Sequence, residues 1–202
     1  MKNWYDKIAF VYDWFTERFY LKMRRQLIEQ LHLKQGNRIL IIACGTGQSF
    51  DLLLNKIGDN GEIVAIDYSA GMLKQAQKRI DKHKWQNIRL IHVDARQINK
   101  AFFEKLGIKT DFDIVIGELA FSVIPDWKKV MKTSISLLKH TGKIGLLDWQ
   151  RTKNDILTKI VNGIAQAETT RQTTVYAQSL LKKFNVNSYF FFKSIYIATG
   201  EK

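Results

Sequence analysis

Residues 39–50 read ILIIACGTGQSF, an apolar run that leads through a small-residue turn into a helical pattern. The run from Ile39 to Ile42 predicts a buried strand, and helical spacing begins near Ser49. Glycine permits unusual backbone dihedrals and a close ligand approach, and the start of a helix offers free N–H groups. The small residues that keep this turn thin are Ala43, Cys44, Gly45 and Gly47. We therefore expect a strand–turn–helix unit with a ligand over the turn.

The pattern outside this unit alternates between short β-branched runs and segments with helical spacing. Predicted strands are 63–66, 88–93, 112–116 and 143–147, and the clearest predicted helices are 70–83 and 126–138, the second stopped near Gly142. Nearly all-apolar strands that alternate with helices indicate a parallel sheet covered on both faces. The runs 186–192 and 194–199 predict a closing hairpin with a turn near Lys193. The expected fold is an α/β three-layer α/β/α sandwich with a mostly parallel seven-stranded sheet and a C-terminal antiparallel hairpin.

The length of 202 residues and the apolar fraction of 46% fit a single domain. We expect three parts in it: a helical cap segment (1–35), a ligand-binding core (36–149), and C-terminal helices with the hairpin (150–202). Cys44 is the only cysteine, which excludes an internal disulfide and suits a cytoplasmic protein. No window of 18 uninterrupted apolar residues occurs, so no membrane-spanning helix is expected.

The N-terminal segment carries one apolar stripe at helical spacing. Its members are Ile8, Val11, Phe15, Phe19, Met23, Leu27 and Leu31, and the basic residues expected mostly off it are Arg18, Lys22, Arg24 and Arg25. The pattern fits an amphipathic helix packed on the domain. It also fits a membrane-surface helix, because the aromatic residues of this segment could sit at an interface. The net charge of +13 attracts anionic surfaces, but its basic residues are dispersed and name no partner.

Two acidic residues extend the ligand prediction. Phe50 stands where a dinucleotide-binding loop has its third glycine, which disfavours a pyrophosphate site. Asp67 ends the next predicted strand, where a carboxylate can accept hydrogen bonds from ribose hydroxyls. Asp94 ends the strand after that and could accept from an adenine amino group. The combination predicts an adenosine ligand without phosphates.

Four segments together resemble the ordered motifs of class I S-adenosylmethionine-dependent methyltransferases: ILIIACGTGQSF, VAIDYSAGML, HVDA and FDIVIGELAFSVIPDW. The resemblance implies a Rossmann-like fold, S-adenosylmethionine as cofactor and S-adenosylhomocysteine as product. The opening YDKIAFVYDW resembles the ubiquinone/menaquinone methyltransferase-like subgroup, in which this segment caps the cofactor. The implied cofactor contacts are Tyr5, Tyr12, Ala43, Cys44, Gly45, Gly47, Asp67, Tyr68, Met72, Asp94, Ala95 and Glu118.

Two departures from the family pattern stand in the first motif. The family usually has an acidic residue where this chain has Ile41, and a glycine where it has Ala43. The acidic residue normally helps to orient the methionine amino group of the cofactor. An active enzyme and a cofactor-binding module without catalysis are therefore both compatible with the sequence.

The sequence offers three candidate classes of methyl acceptor. The SVIPDW stretch is similar to bacterial phospholipid N-methyltransferases, which implies an amine acceptor such as a phosphatidylethanolamine headgroup and peripheral contact with the inner membrane face. Glu118 is then the candidate catalytic residue, as a ligand of the substrate ammonium or an aid to its deprotonation; a plain solvated or capping role is the alternative. A small soluble or quinone-like acceptor is the second hypothesis, and RNA is less favoured. No metal site is predicted, and monomer and homodimer both stay open.

Overall fold

The computed structural model describes residues 18–151, 155–189 and 194–202, and in them a seven-stranded sheet. Its strands are β1 (Arg38–Ile42), β2 (Glu62–Asp67), β3 (Ile88–His92), β4 (Phe112–Glu118), β5 (Leu138–Trp149), β6 (Lys182–Tyr189) and β7 (Ile195–Glu201). The spatial order is β3-β2-β1-β4-β5-β7-β6. Strands β1 to β5 are parallel, and β7 is antiparallel to both β5 and β6. The predicted α/β class, mostly parallel sheet and antiparallel C-terminal strands are confirmed.

Helices connect the strands and lie on both faces of the sheet. They are α1 (18–31), α2 (Phe50–Ile57), α3 (Ala70–His83), α4 (Lys100–Lys105), α5 (Trp127–Ser136), α6 (Ile156–Ala165) and α7 (Thr173–Gln178), with a 3₁₀ turn at Ala95–Gln97. Side-chain caps set several of their starts; the Ser69 hydroxyl, for example, accepts from the Met72 amide at the start of α3. Within the described ranges, no helix has both the length and the apolar character needed to span a bilayer.

Strands β1, β2, β4, β5 and β7 supply side chains to two separate cores. Leu40 and Ile42 of β1 pack in one cluster with Phe103 and Phe121. Ile39 and Ile41 point to the opposite face and pack in a second cluster. The second cluster contains Leu27 and Leu31 of α1, together with Phe50 and Leu53 of α2. Because both faces are buried, the strands read as continuous apolar runs, as the sequence predicts.

The α5–β5 connection differs from its prediction. The helix ends at Ser136 and β5 begins at Leu138, so Gly142 lies inside the strand and does not stop the helix. Leu138 is buried and pairs with Phe112, and the register then shifts before Ile114. This irregularity absorbs extra residues in β5, an arrangement that apolar periodicity does not reveal.

The terminal segments are described only in part. Strand β6 begins at Lys182, before the predicted start at residue 186. The predicted turn near Lys193 and the cap residues Tyr5 and Tyr12 lie outside the described residues. In α1 the predicted stripe is correct where described, since Leu27 and Leu31 are buried. Arg24, expected mostly off the stripe, is an exception: it is only 4% exposed and faces the domain.

Candidate cofactor and acceptor site

A cavity of about 410 Å³ opens at the carboxyl ends of β1, β2 and β4. Strands β2 and β3 extend the sheet to one side of β1, and strands β4 and β5 extend it to the other, so the strand order reverses at β1. Such a switch point is the usual place for a ligand in an open α/β sheet. The predicted site residues that line this cavity are Ala43, Cys44, Gly45, Gly47, Asp67, Tyr68, Met72, Asp94, Ala95 and Glu118. The structure thus brings the described members of the predicted site together in one place.

The glycine loop explains one family departure and the role of Phe50. Ala43 has a φ of +54°, in the left-handed region where glycine is favoured, so the usual glycine at this position has a conformational reason. Gly47 has a φ of +76°, and a Cβ there would lie 2.4 Å from the Phe50 ring. The ring of Phe50 therefore fills the space that a third glycine would leave open.

Asp67 is held at the cavity by backbone donors. Its Oδ2 accepts from the Gly45 amide and its Oδ1 from the Ser69 amide, both at 2.8 Å. Burial raises the pKa of Asp67, and the backbone hydrogen bonds from Ser69 and Gly45 oppose that shift. The Tyr68 amide is a third backbone donor to this carboxylate. A carboxylate has about four acceptor positions, so about one remains for a ligand hydroxyl. This arrangement fits the ribose-binding role that the sequence predicts.

Asp94 also lines the cavity, but its carboxylate already has a partner. The Arg96 side chain donates to both carboxylate oxygens, with Nη2 2.6 Å from Oδ2, and the Arg96 amide donates to Oδ1 at 2.9 Å. These contacts hold the pKa of Asp94 below its usual range, with the Arg96 side-chain hydrogen bonds as the largest cause. Met72 and Ala95 are buried beside it, whereas Tyr68 is 45% exposed.

Glu118 lies in a buried network that sequence reasoning missed. Its side chain is 11% exposed, and Oε2 accepts from Arg24 Nε at 3.0 Å. The Ser49 hydroxyl lies 2.8 Å from Oε1 and 2.7 Å from Oε2, and it makes no side-chain cap for α2. Arg24 Nη1 is buried and has no hydrogen-bond partner among the described residues. Glu118 is therefore neither solvated nor a helix cap.

The missed residues differ in the signals they carry. Arg24 lies four residues after Tyr20 and three before Leu27, both buried, so helical spacing alone could have placed it on the inner face. Arg96 lies two residues after Asp94 and could have been read as its partner. Ser49 carries no such signal, because its bond to Glu118 joins residues 69 positions apart.

Residues 119–125 follow Glu118 in the chain and form one wall of the cavity, and a buried carboxyl group holds this turn in place. Asp148 accepts from the Ser122 amide at 2.9 Å, the Ser122 hydroxyl at 2.5 Å and the Trp149 amide at 2.8 Å. Burial raises the pKa of Asp148 to about 6, against the effect of these hydrogen bonds. Arg171 Nη1 adds contacts to the carbonyl oxygens of Phe121 at 2.7 Å and Ile124 at 2.6 Å. The 119–125 turn is thus held by Asp148 through Ser122 and by Arg171 through two backbone carbonyl groups.

The donor set fits S-adenosylmethionine in its chemistry. Asp67 offers an acceptor position to a ribose, and Met72 offers an apolar surface to a purine. Arg24 Nη1, which has no partner among the described residues, offers a donor to an anionic group. Residues 33–189 match a protein family described as "Methyltransferase domain". This chain belongs to the class I S-adenosylmethionine-dependent methyltransferases.

Curated relatives of this methyltransferase share part of its length. It is 23% identical to the demethylmenaquinone methyltransferase of Listeria welshimeri over 148 residues, which cover 71% of this chain and 60% of the relative. It is 28% identical to the aklanonic acid methyltransferase DauC of Streptomyces sp. strain C5 over 141 residues, which cover 69% of this chain and 60% of the relative. The chain thus spans about 60% of the length of these curated relatives.

Among solved structures, phosphoethanolamine N-methyltransferase 2 of Haemonchus contortus, in complex with S-adenosyl-L-methionine, has a similar fold. The TM-score is 0.73 at 18% identity, with 91% of this chain and 43% of that chain covered. At this identity the likeness supports the fold, and the acceptor has to be argued from the site itself.

Proposed function

We propose that this methyltransferase transfers a methyl group from S-adenosylmethionine to a small molecule with an apolar, quinol-like body. The observation that carries the proposal is the composition of the cavity. The predicted cofactor residues on the described part of the chain line this cavity, and the wall that follows Glu118 in the chain is apolar. That wall is formed by Leu119, Val123, Ile124 and Pro125.

The residues of the chain serve mainly to hold the two reactants. S-adenosylmethionine supplies a methyl group on a sulfonium centre, and the reaction needs an electron-rich acceptor atom in line with it. Proximity and orientation can supply much of the rate of such a displacement. The apolar wall would hold a planar ring and exclude water, and the anchoring of Ser122 by Asp148 keeps that wall in place.

The relatives support a quinol-like acceptor over an amine headgroup. The names of the two curated relatives give demethylmenaquinone and aklanonic acid as their substrates. A substrate ammonium would need a carboxylate within the apolar wall, and the side chains of that wall carry none. Glu118, the carboxylate next to the wall in the chain, is held toward α1 and the glycine loop by its bonds to Arg24 and Ser49. We therefore assign Glu118 to the cofactor side and place the amine acceptor second.

The proposal also includes peripheral membrane contact. A quinol with a long apolar chain partitions into bilayers, and a net charge of +13 favours an anionic leaflet. We expect cosedimentation with phosphatidylglycerol vesicles that is lost at high salt. Equal sedimentation with neutral vesicles, or none with either, would contradict this part.

A methyl-transfer assay with separate acceptors tests the proposed function. The protein is incubated with methyl-labelled S-adenosylmethionine and either a reduced short-chain naphthoquinol, phosphatidylethanolamine vesicles or phosphoethanolamine. We expect label in the naphthoquinol. Label only in an amine would refute the quinol assignment, and failure of S-adenosylhomocysteine to bind would refute the cofactor assignment. As a control, Val123→Asp should abolish transfer, since it places a charge in the apolar wall, and should leave S-adenosylhomocysteine affinity nearly unchanged.

A further inference from the structure

Arg24 carries a buried donor that no described residue satisfies. Its side chain is 5% exposed; Nε donates to Glu118, and Nη1 has no partner within residues 18–151, 155–189 and 194–202. An unpaired charged donor is unfavourable in a buried place, so a buried arginine normally has its donors occupied. Arg24 also lines the cavity. Nη1 is therefore available to an anionic group of a bound ligand.

Glu118 places the opposite charge beside this donor. The Ser49 hydroxyl and Arg24 Nε together use two of the roughly four acceptor positions of its carboxylate. The remaining positions can accept from a ligand ammonium. A cation acceptor next to an unpaired guanidinium donor matches the chemistry of an α-amino acid, which carries an ammonium and a carboxylate on one carbon.

The sheet register relates Glu118 to the departure at position 41. Ile41 pairs with Ile116 across β1 and β4, and Glu118 follows two residues later on the same face. The strand spacing of about 4.8 Å and the rise of about 3.3 Å per residue put the Cα atoms of residues 41 and 118 roughly 8 Å apart. Ile41 packs in the same cluster as Leu27 of α1, the helix that carries Arg24. A carboxylate at 118 thus lies one strand over from the place where the family has its acid.

The other carboxylates of the cavity lie elsewhere in the sheet. Asp67 ends β2 and Asp94 follows β3, on the opposite side of β1 from β4. Asp94 is already bound by Arg96 through both oxygens. The adenosine-binding groups and the Arg24–Glu118 pair therefore flank β1 from opposite sides.

From this arrangement, and resting on the proposed function, we propose that Arg24 and Glu118 bind the amino-acid end of S-adenosylmethionine. Arg24 Nη1 donates to the carboxylate, and Glu118 accepts from the ammonium. The pair replaces the acidic residue that this chain lacks at position 41. Ser49 is a positioning residue, since its hydroxyl holds the Glu118 carboxylate toward Arg24.

Calorimetric titration with three ligands separates the two roles. S-adenosylhomocysteine carries both charged groups, decarboxylated S-adenosylmethionine only the ammonium, and 5′-methylthioadenosine neither. Loss of one charged hydrogen-bonded contact corresponds to about a tenfold to hundredfold loss of affinity. We expect Arg24→Met to lose that factor for S-adenosylhomocysteine alone. Glu118→Gln should lose it for both ammonium-bearing ligands, and both variants should bind 5′-methylthioadenosine like the wild type.

Matched controls come from the exposed face of the same helix. Arg25→Met and Glu29→Gln remove the same charges from exposed positions and should leave all three affinities unchanged. Arg24→Lys keeps the charge but loses the planar guanidinium, so it should give an intermediate loss for S-adenosylhomocysteine. It provides the test if Arg24→Met does not fold. Adding Ile41→Asp to Glu118→Gln should recover part of the lost affinity.

Each contrary outcome has a distinct meaning. Unchanged S-adenosylhomocysteine affinity in folded Arg24 and Glu118 variants would overturn the inference. A parallel loss for 5′-methylthioadenosine would also overturn it, because the variants would then disturb the whole cavity. A wild-type protein that binds none of the three ligands would instead refute the proposed function.

Discussion

The buried carboxyl group of Asp148 makes the free energy of unfolding depend on pH, with a sign and size set by its raised pKa. Asp148 is fully buried, and its pKa is raised from 3.8 to about 6, chiefly because burial disfavours the charged form. Below about pH 3 the group is protonated in both the folded and unfolded states. As the pH rises toward 6, the unfolded chain releases the proton while the folded chain keeps it. This residue therefore lowers the free energy of unfolding as the pH rises through that window.

The size of the effect follows from the shift. About two pKa units at about 1.4 kcal/mol each correspond to roughly 3 kcal/mol, fully expressed above about pH 6.5. Other carboxylates act in the opposite direction. The lowered pKa values of Asp94, Asp155 and Glu168 mean that their stabilising contributions are lost as the pH falls. The wild-type profile alone thus mixes opposing effects, and a difference measurement is needed.

Urea unfolding of the wild type and of Asp148→Asn, from pH 4 to pH 7.5, isolates the contribution. The amide cannot ionise, so the wild-type minus variant difference in unfolding free energy should fall by about 2 kcal/mol between pH 4 and pH 6.5. The variant also loses an acceptor toward the Ser122 or Trp149 amide, but that offset does not depend on pH. Asp59→Asn, at an exposed position, is the control for removing one carboxylate. Profiles of wild type and Asp148→Asn that run parallel would refute the reasoning.

Three further variants probe the loop, the ribose position and α1. Asp67→Ala should weaken both S-adenosylhomocysteine and 5′-methylthioadenosine by about 1–3 kcal/mol in calorimetry, since ligand hydroxyls lose their acceptor; unchanged affinities would contradict the ribose assignment. Ala43→Gly should raise the unfolding free energy by roughly 0.5–1 kcal/mol, because relief of the left-handed strain exceeds the added chain entropy; a less stable variant would argue against that conformation. Tyr20→Phe should lower it by about 1 kcal/mol, because the indole N–H of Trp149 donates to the Tyr20 hydroxyl at 2.9 Å; equal urea midpoints would exclude that contribution.

The parts of the fold that depend on local pattern could be predicted from the sequence. Strands buried on both faces leave continuous apolar runs, and the glycine loop marks the end of β1 by its composition. The carboxyl ends of neighbouring parallel strands meet at one edge of the sheet, so Asp67 and Asp94 could be assigned to one site without knowing any contact. The extended start of β5 could not be predicted, because its pairing with Phe112 depends on a register shift in the partner strand.

The partner of Glu118 could not be predicted for a related reason. The Glu118 position at the end of β4 follows from the pattern, but its ion pair joins it to a residue 94 positions earlier. No short-range periodicity encodes such a contact. The sequence pattern puts Arg24 among basic residues expected mostly off the apolar stripe of α1, although its spacing to Tyr20 and Leu27 places it on the buried face. For a buried arginine the available partner decides the orientation, and that partner is visible only in the folded chain.

The Arg24–Glu118 pair also ties the docking of α1 to the state of the cavity. Removing α1 from the sheet would leave the largely buried Glu118 carboxylate without its cationic partner, which is more costly than losing a surface ion pair. Conversely, a ligand that contacts Arg24 binds only when α1 is docked, so ligand binding must stabilise that docking by the same free energy. The strands can then hold Asp67 and Asp94 in place while α1, which carries Arg24, completes the charged end of the cavity. Exchange of amide hydrogens in α1 should therefore slow on addition of S-adenosylhomocysteine and much less with 5′-methylthioadenosine, which lacks the groups that reach Arg24 and Glu118.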